Sequence, residues 1–138
     1  MITFIDSNII IFSNIQEYPE HETTVKKLEE ILSNGKGAVN SIIMSEVYHK
    51  LSKILDKKQA KSRTKKILDS ENILYFPIEK PTIEKAIKLS GKSQLRINDS
   101  VIGQHVIDTN ADGIFTDNVK DFKKIDKLKI IRLRGSKK

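Results

Sequence analysis

Four acidic residues stand where predicted strands end or predicted helices begin. Asp6 and Asp117 each follow a short apolar run that is typical of a buried strand. Glu46 and Asp99 each lie in the opening turns of a helical pattern. In parallel sheets the ends of the strands and the starts of the following helices share one edge, which is where ligands bind. We therefore expect the four carboxylates to form a single site.

Carboxylates gathered in this way repel one another, by about 1 kcal/mol per pair at 4 Å in water and by more at lower dielectric. A bound cation normally relieves this repulsion. The chain has no cysteine, and His21, His49 and His105 lack the spacing of metal ligands, so we expect them to be structural or surface residues. Ligation by oxygen alone favours Mg²⁺ or Mn²⁺ over zinc. One or two such ions can activate water for the hydrolysis of a phosphodiester.

Composition limits the class of protein. A chain of 138 residues with 38% hydrophobic residues fits one domain over residues 1–138. The formal net charge of +7 suits a polyanionic partner such as nucleic acid, although a generally lysine-rich surface would give the same value. No disulfide is possible without cysteine, and no apolar run approaches about 18 residues. We expect a soluble, cytoplasmic protein that does not enter membranes.

Short apolar runs alternate with helical patterns along the chain. Strands are predicted at residues 2–5, 38–40, 73–77, 114–116 and 129–133. Helices are predicted at residues 21–32, 42–55 and 57–69, from Pro81 to near Gly91, and from Asn98 onward. Ser7 and Asn8 are expected to cap a helix after the first strand. The alternation predicts an α/β fold with a mainly parallel sheet, covered on both faces, and a frayed basic tail at residues 134–138.

Three stretches of sequence together resemble the PIN-domain family, especially the VapC-type toxins of toxin–antitoxin modules. They are FIDSN at the start, SEV in the middle and INDSVIGQHVIDTNADGIFTDNVKDF near the end. The resemblance runs over essentially the whole chain. It implies a three-layer α/β/α fold with a central sheet of four to five strands. It also implies an endoribonuclease that depends on one or two Mg²⁺ or Mn²⁺ ions, RNA as substrate, a homodimer, and an antitoxin protein as inhibitor.

Residue by residue, the resemblance assigns catalytic and metal-binding roles to four acids, Asp6, Glu46, Asp99 and Asp117. Asn8 and Thr116 match the accessory polar positions of the family. Asp121 is an alternative fourth acid. We prefer Asp117 because it directly follows the strand, and we expect Asp121 to cap the turn that leads to Phe122.

Each assignment has an ordinary alternative. Asp6 and Asp99 would also serve as helix caps, and Glu46 as a surface glutamate on an amphipathic helix. Arg96, three residues before Asp99, is a candidate for binding the RNA backbone. The basic cluster between Lys57 and Lys66 is more typical of a solvated helix face, with phosphate contacts as its alternative role.

Other protein classes fit the sequence less well. An aspartyl phosphatase needs a second aspartate two positions after the first, where this chain has Asn8. A receiver domain needs an aspartate at the end of the third strand, where Phe76 and Pro77 stand. Two alternatives of the same fold remain, a housekeeping RNA-processing nuclease and an RNA-binding module without activity. The compact length favours the toxin.

Overall fold

A parallel sheet of five strands forms the centre of the computed structural model, which describes residues 1–134. Its order is β3-β2-β1-β4-β5, with β1 at Ile2–Ile5, β2 at Lys36–Val39, β3 at Ile73–Tyr75, β4 at Gly113–Thr116 and β5 at Ile130–Arg132. Every neighbouring pair runs parallel. Of the predicted basic tail, residues 135–138 lie outside the described residues. Within residues 1–134, no helix combines the length and apolar character needed to cross a bilayer.

Helices connect the strands and cover both faces of the sheet. They are α1 at Ser7–Asn14, α2 at His21–Ser33, α3 at Ser41–Ile54, α4 at Lys57–Leu68, α5 at Lys80–Ser93, α6 at Ile97–Asp108 and α7 at Val119–Phe122. Right-handed crossovers in this strand order place α1 to α4 on one face and α5 to α7 on the other. The predicted α/β/α fold with a parallel central sheet is therefore confirmed.

The order in which strands are added reverses beside β1. The chain passes from β1 to β2 and β3 on one side, then returns to place β4 and β5 on the other side. Thr3 pairs with Gly37 of β2 and with Gly113 of β4, so β1 is the central strand. Such a reversal opens a crevice at the carboxyl ends of the two strands. Here that crevice lies between the ends of β1 and β4.

A buried hydrogen-bond network fixes the start of α3 against α6. The Asn40 side chain accepts a hydrogen bond from the Ile43 backbone N–H (2.9 Å), which caps α3, and its amide nitrogen lies 2.9 Å from His105 Nδ1. His105 Nε2 lies 3.0 Å from the Pro77 carbonyl oxygen. Burial lowers the pKa of His105, so the ring is neutral, accepting at Nδ1 and donating at Nε2. This structural role agrees with the one expected for His105.

Several predicted boundaries are corrected. Asp6, rather than Ser7 or Asn8, caps α1, because its own carboxylate accepts a hydrogen bond from the Ser7 N–H. Helix α5 continues through Gly91, since one glycine costs only about 1 kcal/mol in a helix. It ends at Ser93 and is followed by the C-cap Gln94, whose φ of 57° is left-handed.

Two further elements differ from their predictions. The third strand ends at Tyr75 rather than at Pro77, which has no N–H for the ladder and whose carbonyl instead binds His105. Asp121 lies inside the short helix α7, where only a turn was expected.

Replacing Gly113 by alanine should destabilise the fold. A Cβ atom at this position would lie 2.8 Å from the carbonyl oxygen of Lys129, and that oxygen accepts the hydrogen bond from Ile114 N–H that joins β4 to β5. The strands cannot separate without weakening this bond. We therefore expect the free energy of unfolding of Gly113→Ala, measured in urea, to be about 1–3 kcal/mol lower than that of the parent protein.

Gly91→Ala is the matched control for this experiment. No atom lies within 4 Å of a Cβ at this helical position, so alanine should raise stability by about 0.5–1 kcal/mol. If both variants had the same free energy of unfolding as the parent protein, the inferred close approach of Gly113 to the Lys129 carbonyl oxygen would be wrong.

Candidate active site

Asp6 is held in the crevice between β1 and β4 with only 4% of its surface exposed. Its Oδ1 accepts a hydrogen bond from the Ser7 N–H (2.8 Å). Its Oδ2 accepts one from the Thr116 hydroxyl (2.6 Å) and a longer one from the Asn8 amide (3.3 Å). Both residues predicted as accessory polar positions therefore contact Asp6.

The environment of Asp6 favours its protonated form. Burial is the main cause that raises the pKa of Asp6, from 3.8 to about 6. The hydrogen bonds from Thr116 and Ser7 oppose this shift, whereas the charges of Glu46 and Asp99 add to it. A nearby cation would reverse the balance, because it stabilises the ionised carboxylate.

Glu46 reaches the same place from α3. Its Oε1 accepts a hydrogen bond from the Ser7 hydroxyl at 2.9 Å. Its Oε2 lies 3.4 Å from the Asn98 amide and 3.5 Å from the Arg96 guanidinium. The side chain of Glu46 is 21% exposed and that of Arg96 is 70% exposed, so this ion pair faces the solvent on one side.

Asp99 enters from the first turn of α6 and is 6% exposed. Among the described residues, its buried Oδ2 has no hydrogen-bond partner. Burial raises the pKa of Asp99, the Arg96 charge lowers it, and the charges of Glu46 and Asp121 raise it further. An unsatisfied buried carboxylate oxygen is costly, and a cation would satisfy it.

These acids line one cavity of about 390 Å³ with three basic side chains and several polar ones. Three of the four predicted acids are present, as are Asn8 and the predicted RNA contact Arg96. Site roles were not predicted from the sequence for the other lining residues, which are Ser7, His49, Lys50, Asn98 and Asn118. The spacing of His49 and Lys50 from Glu46, three and four residues along one helix, is the signal that would have found them.

The Asp117 side chain is engaged elsewhere. Its two oxygens accept hydrogen bonds from Arg134 Nε (2.9 Å) and an Arg134 terminal nitrogen (2.6 Å), and that nitrogen also binds Glu20 (2.8 Å). The hydrogen bond to Asp117 is the main cause that raises the pKa of Arg134. Only the backbone N–H of Asp117 contacts the site, where it donates to Asn8 (3.3 Å). Asp121, in contrast, contributes to the negative field at Asp99.

The donor set fits a hard divalent cation. Within residues 1–134, no three acidic or histidine side chains are already arranged around one metal position. However, the cavity gathers carboxylates whose charges repel one another, and one of them carries a buried oxygen without a partner. The carboxylates offer only oxygen donors, which Mg²⁺ and Mn²⁺ prefer.

Sequence comparison identifies relatives of this chain. A family model described as PIN domain matches residues 3–128. A protein named Ribonuclease VapC2, from Rickettsia felis, is 28% identical over 131 residues, which cover 93% of this chain and 95% of that protein.

Solved structures share the fold over nearly the whole chain. VapBC2 from Rickettsia felis, bound to a DNA fragment from its promoter, has a TM-score of 0.77 at 23% identity, covering 96% of this chain and 98% of that one. VapBC-1 from nontypeable Haemophilus influenzae has a TM-score of 0.73 at 21% identity, with the same coverage. A toxin–antitoxin complex from Klebsiella pneumoniae has a TM-score of 0.71 at 17% identity, again with the same coverage.

The raised pKa of Asp6 predicts a pH-dependent cost to stability in metal-free protein. The unfolded chain loses this proton near pH 3.8, whereas the folded chain keeps it until about pH 6. The contribution of Asp6 to the free energy of unfolding therefore falls as pH rises through this window. Above the window, ionised Asp6 destabilises the folded protein by roughly 3 kcal/mol, for a pKa shift of about two units. The stability of Asp6→Asn relative to the parent protein should thus rise by most of this amount between pH 4 and 7.

Urea unfolding in EDTA at several pH values would measure this difference. Exposed Asp126→Asn is the control for the loss of one negative charge. A difference between Asp6→Asn and the parent protein that does not change with pH would show that burial of Asp6 does not raise its pKa.

Proposed function

Because the chain belongs to the PIN-domain family, we propose that it is a metal-dependent endoribonuclease and the toxin of a type II toxin–antitoxin pair. The observation that carries the proposal is the convergence of Asp6, Glu46 and Asp99 on one cavity, where Asp99 keeps a buried oxygen without a partner. The similarity to Ribonuclease VapC2 along nearly the full length of both chains supports ribonuclease activity.

We assign Asp6, Glu46 and Asp99 as the residues that hold one or two Mg²⁺ or Mn²⁺ ions. When bound, such ions neutralise the carboxylates, activate water for in-line attack on phosphorus and stabilise the charge that develops on the phosphate oxygens. No side chain serves as a covalent nucleophile in this proposal. The products would carry 5′-phosphate and 3′-hydroxyl ends.

The side chains around the acids have positioning roles. Ser7 orients two of them at once, since its N–H binds Asp6 and its hydroxyl binds Glu46. Thr116 and Asn8 hold the second oxygen of Asp6. These donors reduce the freedom of the carboxylates before any ligand arrives, which lowers the entropic cost of binding.

An antitoxin protein is the proposed partner. The similar structures from Rickettsia felis, Klebsiella pneumoniae and Haemophilus influenzae are VapBC or toxin–antitoxin complexes, which supports such a partner. This chain offers a largely apolar groove of about 470 Å³ between α1, α2 and α4, with Arg63 and Lys66 among its lining residues. The groove suits a partner segment that combines apolar and acidic side chains.

We also propose a homodimer. Several large apolar side chains are exposed in the single chain, among them Ile83 and Ile87, which lie one turn apart on α5, and Ile97 at the start of α6. A second copy would remove such surface from water.

Asp99→Asn should abolish metal-dependent RNA cleavage without unfolding the protein. Loss of a ligand should lower the cleavage rate by more than about a hundredfold, the upper range for loss of an outer-shell partner. Cleavage of single-stranded and structured RNAs would be compared in Mg²⁺, Mn²⁺ and EDTA. Mn²⁺ should raise the melting temperature of the parent protein, through binding to the folded state, and have little effect on Asp99→Asn.

The exposed variant Asp126→Asn is the control and should cleave like the parent protein. RNA binding without cleavage by the parent in any metal would contradict the nuclease and favour the inactive RNA-binding module. Expression of the active protein should arrest growth, whereas Asp99→Asn should not. Normal growth with the active nuclease would favour the housekeeping alternative.

Asp117→Asn and Asp121→Asn distinguish the two candidates for the fourth acid. The carboxylate of Asp117 is bound by Arg134, and that of Asp121 lies 3.7 Å from Lys124. Asp121 is favoured because its charge raises the pKa of Asp99. Asp121→Asn should lower kcat/KM by about ten- to a hundredfold. Asp117→Asn should mainly cost up to about 1 kcal/mol in stability, through loss of an exposed ion pair. The reverse pattern in cleavage kinetics would make Asp117 the fourth acid.

A further inference from the structure

We infer that Lys50 is a phosphate-binding residue, which holds the RNA backbone beside the acidic site in the cavity that Arg96 also lines. The inference rests on the proposed nuclease function and assigns part of its substrate recognition. Both residues line the cavity that contains Asp6, Glu46 and Asp99.

Helix geometry relates Lys50 to the acids. Glu46 and Lys50 are four residues apart on α3, so they share one face, and Lys50 lies about 6 Å farther along the helix axis. That separation lets the two side chains act on neighbouring groups of one extended strand. The acid would face the reacting phosphate, and the lysine would face the backbone next to it.

The position of Lys50 is fixed by the packing of α3. Ile43, Val47 and Leu51 are fully buried on the core side of this helix. Asn40 caps the helix and is itself held by His105. Since the helix cannot rotate without exposing this apolar face, the base of the Lys50 side chain stays at the cavity wall.

The charge of Lys50 is available for a ligand. Arg96 pairs with Glu46 at 3.5 Å, but Lys50 has no ion-pair or hydrogen-bond partner among residues 1–134. An exposed ammonium beside several carboxylates, yet bound to none of them, is free to bind an anion.

A phosphodiester that approaches this cavity meets three carboxylates that repel it. Cationic side chains at the wall reduce this repulsion and supply the contacts that orient a nucleic-acid backbone. Arg96 already forms an ion pair with Glu46, which partly neutralises its charge. Lys50 is therefore the stronger candidate for a direct phosphate contact.

The lysine-rich helix α4 is a less suitable phosphate site for this reaction. None of its residues lines the acidic cavity, Lys65 pairs with Asp69 at 2.9 Å, and the Arg63 guanidinium binds the Asn14 carbonyl oxygen. The exposed Lys65–Asp69 pair agrees with the solvated face expected from the sequence, whereas Arg63 lines the largely apolar groove.

The test is the salt dependence of RNA binding in the cleavage-deficient Asp99→Asn background. Binding of a fluorescein-labelled single-stranded RNA would be measured in EDTA between 50 and 200 mM NaCl (~fourfold in salt), with and without Lys50→Gln. Each phosphate contact contributes about 0.7 to the slope of log K against log salt for single strands. Lys50→Gln should lower the slope by about this amount, and Lys50→Arg should restore it.

Lys53→Gln is the matched control, because Lys53 is an exposed lysine on the same helix that does not line the cavity. It should leave the slope unchanged. Equal slopes for the Lys50→Gln and Lys53→Gln proteins would overturn the inference, since Lys50 would then add only to the general positive field.

Cleavage of the same RNA by protein with Asp99 intact separates this inference from the proposed function. With active cleavage, Lys50→Gln should raise KM more than it lowers kcat, as expected for a binding contact. Active cleavage with an unchanged KM and salt slope would overturn the Lys50 assignment alone. If the parent protein neither binds nor cleaves RNA, both proposals fail.

Discussion

The buried carboxylate of Asp6 is the constraint on which the rest of the site depends. It sits at the reversal of strand order between β1 and β4, where it caps α1 and accepts the hydroxyl of Thr116. Ionisation of a carboxyl group that is only 4% exposed is unfavourable without a counter-charge, and this cost raises the pKa of Asp6. Strong pKa shifts of this kind are concentrated at functional sites, where fold stability is lost in exchange for reactivity.

The other two acids come from opposite faces of the sheet. Helix α3 carries Glu46 from one layer and α6 carries Asp99 from the other, and they meet above the end of β1. The buried pair of Asn40 and His105 joins the start of α3 to the last turn of α6 through a side-chain hydrogen bond. The distance between the acids is therefore set by the packing of α3 and α6 at the sheet edge. Surface loops do not set this distance.

Charge is distributed unevenly around the cavity. Among its lining residues, Asp6 and Asp99 are buried carboxylates, whereas the cationic Arg96 and Lys50 are exposed. A second set of charges, at Asp117, Glu20 and Arg134, ties the chain after β5 to the start of α2. The first arrangement is suited to a phosphodiester and a cation together. In the second arrangement the opposite charges are paired with one another.

The sequence by itself predicted a mainly parallel sheet of four to five strands, most helices and the placement of Asp6, Glu46 and Asp99 at strand ends and helix starts. These features could be predicted because strand ends, helix starts and apolar periodicity are local patterns. Only the tertiary structure decided the direction of the Asp117 side chain, which depends on Arg134, 17 residues farther along the chain. It likewise decided that Asn118 lines the same cavity as Asp6 and Glu46. Such contacts depend on side-chain directions across elements distant in sequence, which periodicity does not encode.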